Sequence, residues 1–207
     1  MPEPEKQKAL RLFVAVSPTE EIRARVAAIL DALRREDRSH SVRWVAAENV
    51  HLTLRFLGAS PPERVPELRA LLDEVGGRAT PMELDLSGCG AFPDWRRPRV
   101  VWLGIAPNGA LAGLVQAVEE GVTRLGYAPE DRPYRPHLTL GRVRPGARAG
   151  QGLEGAARAA SGTWSGRWRV ETLALYESEP GPKGAVYRAL HRAPLTAADA
   201  DPAPANR

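Results

Sequence analysis

The spacing of apolar residues changes several times along this chain. Residues 10–16 (LRLFVAV) form a short apolar run of the kind that makes a buried strand. Ile22, Val26, Ile29, Leu30 and Leu33 then recur at helical spacing to about Arg35. Ser17 as N-cap, Pro18 in the first turn and Glu20 three residues past the cap mark where that helix is expected to begin. The polar stretch 36–41 breaks the pattern, 42–45 reads as a short strand, and Glu48-Asn49 reads as a turn. A strand over 50–57, closed by Gly58, leads through Pro61 and Pro62 to a second helix carrying Val65, Leu68, Leu71, Leu72 and Val75. Pro66 suits only the first turn of that helix, and Gly76-Gly77 is its expected end.

Residues 82–92 begin as an alternating strand, with Met82, Leu84 and Leu86 on one side. A basic loop over 93–98 and a strand over 100–105 follow. After the turn Pro107-Asn108-Gly109, a third helix carries Leu111, Leu114, Val115, Val118, Val122 and Leu125 and stops at Gly126. The Pro-rich stretch 132–136 holds the chain extended before a strand over 137–143. The rest reads as a helix running into Ala160, a strand pair or one bent strand over 164–176, a hairpin turn at 181–184 and a closing strand over 185–190. The two halves have similar element orders. They predict an α+β fold of two antiparallel-sheet lobes with flanking helices, related by pseudo-twofold symmetry around a central cleft. Residues 10–195 would form this single bilobal domain, residues 1–9 a flexible start, and residues 196–207, mostly Ala, Asp and Pro, a disordered tail.

Composition changes this picture little. The 43% hydrophobic and 26% charged residues of the 207 are those of an ordinary globular chain. A net charge of +4 permits a phosphate-bearing partner without requiring one. Only three basic residues are Lys, which leaves 29 − 3 = 26 arginines, the side chain with a planar fork suited to phosphate. The lone Cys89 allows neither an internal disulfide nor a Cys-based metal site. With no apolar run long enough to cross a membrane and no apolar signal core near the start, the chain is expected to be cytoplasmic and monomeric, with no obligate protein partner.

The chemistry is concentrated in one repeated tetrapeptide. His51-Leu52-Thr53-Leu54 and His137-Leu138-Thr139-Leu140 are identical and lie 137 − 51 = 86 positions apart. On a strand, each copy puts His and Thr on one face and two Leu on the other. If the strands face each other, two imidazoles and two hydroxyls converge on one space. Imidazole titrates near pH 6.5, so one ring can donate a proton while the other accepts one. The threonine hydroxyls can donate to the oxygens of a bound oxyanion. A zinc site would need a third ligand. His40 and His191, the other two histidines, sit in polar or edge contexts, so no metal or cofactor is expected.

The doubled His-x-Thr-x motif resembles the signature of the two-histidine phosphoesterase superfamily. Arg11-Leu12-Phe13-Val14-Ala15, Arg43-Trp44-Val45 and the run from Asn49 to Gly58 resemble its RNA 2′,3′-cyclic phosphodiesterase family, also called the 2′-5′ RNA ligases. So do Arg135-Pro136 through Val143, and Leu175-Tyr176-Glu177-Ser178 with Tyr187. Gly141 departs from the pattern, in which many members carry a larger residue. The resemblance implies hydrolysis of RNA 2′,3′-cyclic phosphate ends to 2′-phosphomonoesters without a metal, with reverse 2′-5′ ligation as a second capability. It implies His51 as the acid and His137 as the base, roles that the identical motifs do not themselves distinguish. It also implies Arg142 at the phosphate or ribose. By simple alternation Arg142 falls on the strand face opposite His137 unless the strand bends. Tyr134 and Phe13 are candidates to stack on a terminal base, and Trp95 in the basic loop is a candidate RNA contact. Two other readings remain open: a module that binds RNA ends or nucleotide phosphate without turnover, and a phosphodiesterase for small cyclic nucleotides.

Overall fold

In the computed structural model, which describes residues 8–148, 152–162, 166–181 and 184–197, the elements run β1 (Leu10–Val16), α1 (Glu20–Glu36), β2 (Val42–Trp44), β3 (Leu52–Ser60), α2 (Val65–Arg78), β4 (Met82–Phe92), β5 (Val100–Ile105), α3 (Gly109–Arg124), β6 (His137–Val143), α4 (Gly152–Gly162), β7 (Arg167–Val170), β8 (Thr172–Gly181) and β9 (Gly184–Pro194). The strands pair antiparallel in the order β7-β4-β5-β6-β3-β1-β8-β9, with β2 on β6. The two motif strands are therefore the innermost pair. They meet at a single register position, Leu52 opposite Leu138, and the nine-stranded sheet divides there into β7-β4-β5-β6 with β2 on one side and β3-β1-β8-β9 on the other.

The unit strand–helix–motif strand–helix–strand occurs twice, as β1-α1-β3-α2-β4 with β2 inserted and as β5-α3-β6-α4-β8 with β7 inserted. Each copy gives its last strand to the other's sheet: β4 pairs with β5, and β8 pairs with β1. The helices follow the same exchange. α1 packs on α4, which covers β4, while α3 packs on α2, which covers β8 and β9. This is the pseudo-twofold α+β arrangement that the element order implied. Burial fixes its inner face, since Leu52, Leu54, Leu138 and Leu140 are 0–4% exposed and belong to the core. The His–Thr face of each motif is thereby turned away from the helices.

Both motif strands carry a β-bulge at their last Leu. On β3 the register passes from Ala15↔Thr53 to Val14↔Arg55, and on β6 from Trp102↔Thr139 to Val101↔Gly141. Each bulge adds one residue and shifts the alternation of faces by one. Arg142 thus joins the face of His137 and Thr139, and Phe56 joins that of His51 and Thr53. Gly141 sits where β2 crosses. A Cβ there would lie 2.5 Å from Val42 Cγ1 and 2.8 Å from Trp44 Cε3, so the bulged strand takes glycine to let β2 dock.

Several expectations are corrected. Thr19, not Ser17, caps α1, its hydroxyl accepting from the Ile22 amide at 3.4 Å. Ser17 instead pairs its hydroxyl with that of Tyr176 at 2.6 Å. α2 runs through Gly76-Gly77 to Arg78. Gly76 allows close packing rather than termination, since a Cβ would meet the Pro194 carbonyl oxygen at 2.5 Å. β3 begins at Leu52 and continues past Gly58 to Ser60. The stretch 164–176 holds two strands, β7 and the start of β8, and β9 is longer than the closing strand expected. Residues 1–7, 182–183 and 198–207 lie outside the described residues. The flexible start and disordered tail therefore fall largely beyond them, as does Trp164.

The break after α1 also has a structural cause. Asp37 is 3% exposed, and its carboxylate accepts from the Ser41 amide and hydroxyl, the Val42 amide and Trp44 Nε1 at 2.8–3.2 Å. Burial pushes its pKa upward, but these donors outweigh that and hold it below the ordinary carboxylate value. A depressed folded-state pKa gives stability that is present above the unfolded value and lost as pH falls through the folded one. Asp37→Asn should cost about 2–3 kcal/mol at pH 7 by urea unfolding, and the difference from the parent should shrink as the pH falls through the carboxylate range. An unchanged midpoint at pH 7 would refute this account of the α1–β2 junction.

Candidate active site

The two motif histidines are held in the same way. His51 Nδ1 lies 2.8 Å from the Asn49 carbonyl oxygen, and His137 Nδ1 lies 2.7 Å from that of Arg135. A carbonyl oxygen only accepts, so each Nδ1 carries the hydrogen and each Nε2 is left as the nitrogen that exchanges a proton. Asn49 ends the one-turn 3-10 helix Ala47–Asn49, and its own amide donates to the Ala185 carbonyl at 3.1 Å, which ties this support to β9. Aromatic rings complete each setting. Phe13 stacks on His51 at 4.8 Å, and Tyr187 meets it edge-on at 5.0 Å. Phe92 meets His137 edge-on at 5.0 Å, with Trp102 at 6.4 Å.

Carried one residue either way, the Leu52–Leu138 pair sets His51 level with Thr139 and His137 level with Thr53. A hollow of about 380 Å³ opens here, and His51, Thr53, Thr139, Arg142, Phe13 and Tyr187 are among the residues that line it. His137 does not line this hollow. It stands beside it on the strand of Thr139, near enough for its charge to act on His51. Burial lowers the pKa of both rings below 6.5. The charge of Arg142 adds to this for both, and that of His137 for His51, while the bonds to the Asn49 and Arg135 carbonyls oppose it. The free protein thus favours two neutral imidazoles beside a guanidinium, a setting that a bound anion would reverse.

The other sequence candidates separate. Arg142 is exposed and reaches the hollow because of the bulge at Leu140, which alternation alone does not reveal. Phe13 is 2% exposed and buried beneath the His51 ring, which leaves little face for a base. Tyr134 is 37% exposed, and its hydroxyl donates to the Thr53 carbonyl at 3.0 Å, linking the approach to His137 with the strand after His51. Burial raises the Tyr134 phenol pKa, which keeps it a donor. Trp95 packs against the core. His191 is paired with Asp73 at 2.6 Å, and His40 occupies a turn at φ 49°. Among the described residues, no group of three or more His, Cys, Asp or Glu is placed to hold a metal ion. No described helix is long and apolar enough to cross a membrane.

Sequence reasoning missed Asn49 and Arg135 because they act through their carbonyl oxygens, which no side-chain pattern signals. It missed Phe56, 57% exposed and lining the hollow, because the bulge at Leu54 that turns it inward has no signature in the alternation.

Paired His-x-Thr strands at the seam of two exchanged lobes define a two-histidine phosphoesterase. The family model for the 2′-5′ RNA ligase superfamily matches residues 18–182. The RNA 2′,3′-cyclic phosphodiesterase of Archaeoglobus fulgidus is 35% identical over 181 residues, 87% of this chain and 98% of that protein. The protein of the same name from Thermus thermophilus is 34% identical over 189 residues, 88% and 89% of the two chains. A crystal structure of E. coli LigT complexed with 3′-AMP superposes with a TM-score of 0.71 at 29% identity, covering 92% of this chain and all of that one. This chain belongs to the 2′-5′ RNA ligase superfamily, among the RNA 2′,3′-cyclic phosphodiesterases.

Proposed function

We propose that this protein hydrolyses RNA 2′,3′-cyclic phosphate ends to 2′-phosphomonoesters by acid–base catalysis between His51 and His137, without a metal. The observation that carries this reading is the matched pair of imidazoles, each with Nδ1 tied to the carbonyl two residues before it and Nε2 left to exchange a proton. Thr53, Thr139 and Arg142 line the adjoining hollow, where donors would meet the non-bridging oxygens. His137 Nε2 takes a proton from water as its oxygen bonds to phosphorus. The bond from phosphorus to the ribose 3′ oxygen breaks, and His51 Nε2 gives that oxygen its proton. His51, enclosed by the hollow and by aromatic rings, suits the side of the nucleoside. His137, outside the hollow, suits the side from which water arrives. With a 5′-hydroxyl in place of water as the attacking group, the same displacement joins it to the 2′-phosphate and makes a 2′-5′ bond.

The test is incubation of purified protein with a 2′,3′-cyclic mononucleotide in excess chelator, followed by product identification. The expected result is 2′-phosphomonoester at a rate the chelator does not change. Both imidazole pKa values are depressed in the free protein, so kcat/KM against pH should be bell-shaped with its maximum below pH 6.5. The alkaline limb of kcat should lie at higher pH, because bound phosphate favours the protonated acid. No product, or a rate abolished by chelator, would overturn the reading.

A further inference from the structure

A second hollow of about 410 Å³ opens on the other side of His51. It shares His51, Asn49, Phe13 and Tyr187 with the first but includes neither threonine of the motifs nor Arg142. This size suits a nucleotide-scale ligand. Three arginines line it, Arg23, Arg169 and Arg192, against two glutamates, Glu48 and Glu171. Two of the arginines are engaged: Arg23 pairs with Glu20 at 3.1 Å, and Arg169 with Glu171 at 2.9 Å and Glu83 at 3.5 Å. Arg192 is in none of the ion pairs among the described residues. Its guanidinium lies over the Tyr176 ring, 5.9 Å from the centroid, and the Tyr176 hydroxyl is fixed by Ser17. The Arg192 guanidinium donates no side-chain hydrogen bond among the described residues, so its paired N–H donors are available to fit a phosphate.

We propose that this second hollow binds the nucleotide on the 5′ side of the cyclic end, with Arg192 holding the phosphodiester that joins it to the terminal ribose. The inference rests on the function proposed above. There the leaving 3′ oxygen, and so the terminal ribose, lies on the side of His51. The phosphoryl group fills the hollow with the threonines, and the strand continuing from the ribose 5′ carbon is left the hollow beyond His51. The protein is thereby built to prefer RNA ends over mononucleotides.

The test compares kcat/KM for a 2′,3′-cyclic mononucleotide and for a trinucleotide with the same cyclic end, using the parent, Arg192→Gln and Arg192→Lys. The parent should prefer the trinucleotide by about tenfold or more, the worth of one charge-assisted contact. Arg192→Gln should lose most of that preference through KM while its mononucleotide turnover stays within about twofold, and Arg192→Lys should recover part of it. The salt dependence of log KM for the trinucleotide should flatten by about 0.7 in Arg192→Gln, one phosphate contact on a single strand. An unchanged preference in Arg192→Gln, or an equal loss on both substrates, would overturn the inference. So would a parent that turns over the mononucleotide with no preference for the trinucleotide. If the parent turned over neither substrate, the proposed function itself would fall.

Discussion

Replacing either motif histidine with alanine is expected to lower kcat/KM on a 2′,3′-cyclic phosphate by about 10²–10⁴-fold, the usual contribution of a positioned acid or base. His51→Ala removes the donor to the leaving oxygen, and His137→Ala removes the acceptor from water. The two rings serve one displacement, so the double variant should be little worse than the more damaging single. Both rings are only half-buried at the seam of the sheet, and Leu52, Leu54, Leu138 and Leu140, which hold the strands to the core, are untouched. The variants should therefore unfold at nearly the parent midpoint. Steady-state kinetics alongside urea unfolding checks both points. A variant that folds and retains parent turnover would remove its histidine from the chemistry.

The second large effect is expected at the threonines. Thr53→Val and Thr139→Val keep the branched shape and strand preference while removing the hydroxyl. Each should cost about 10²–10³-fold in kcat, the range seen when one preorganised donor to a developing oxyanion is deleted. The loss should appear in kcat more than in KM, because the charge those donors meet grows in the transition state. The register that sets each Thr level with the other strand's His implies comparable losses at the two positions. A valine variant with unchanged kcat would show that its hydroxyl does not meet the reacting phosphate.

The motif strands were legible in the sequence because a strand's two-residue period turns His and Thr one way and two Leu the other. The repeat of that tetrapeptide also pointed to paired lobes. Their exchange of β4 and β8 was not legible, since nothing local to a strand says which neighbour it will pair with. Arg142 shows a second limit. Its face depends on a bulge at Leu140, and Gly141 reflects the close pairing of β2 on β6 rather than any local turn preference. Ser17 and Thr19 show a third. Both are good N-caps, and the choice was made by a hydroxyl partner, Tyr176, more than 150 residues away. Asp37 read only as part of a polar break in the pattern because its donors, Ser41, Val42 and Trp44, become neighbours only after the chain turns.

The roles of the two rings are tested most directly by the pH dependence of the residual kcat/KM in His51→Ala and His137→Ala. Loss of the acid should erase the fall in rate on the alkaline side and leave the acidic limb. Loss of the base should erase the rise on the acidic side and leave the alkaline limb. If both variants instead kept the bell-shaped profile of the parent, its limbs would belong to other groups, and the roles of His137 as base toward water and His51 as acid toward the leaving oxygen would be contradicted.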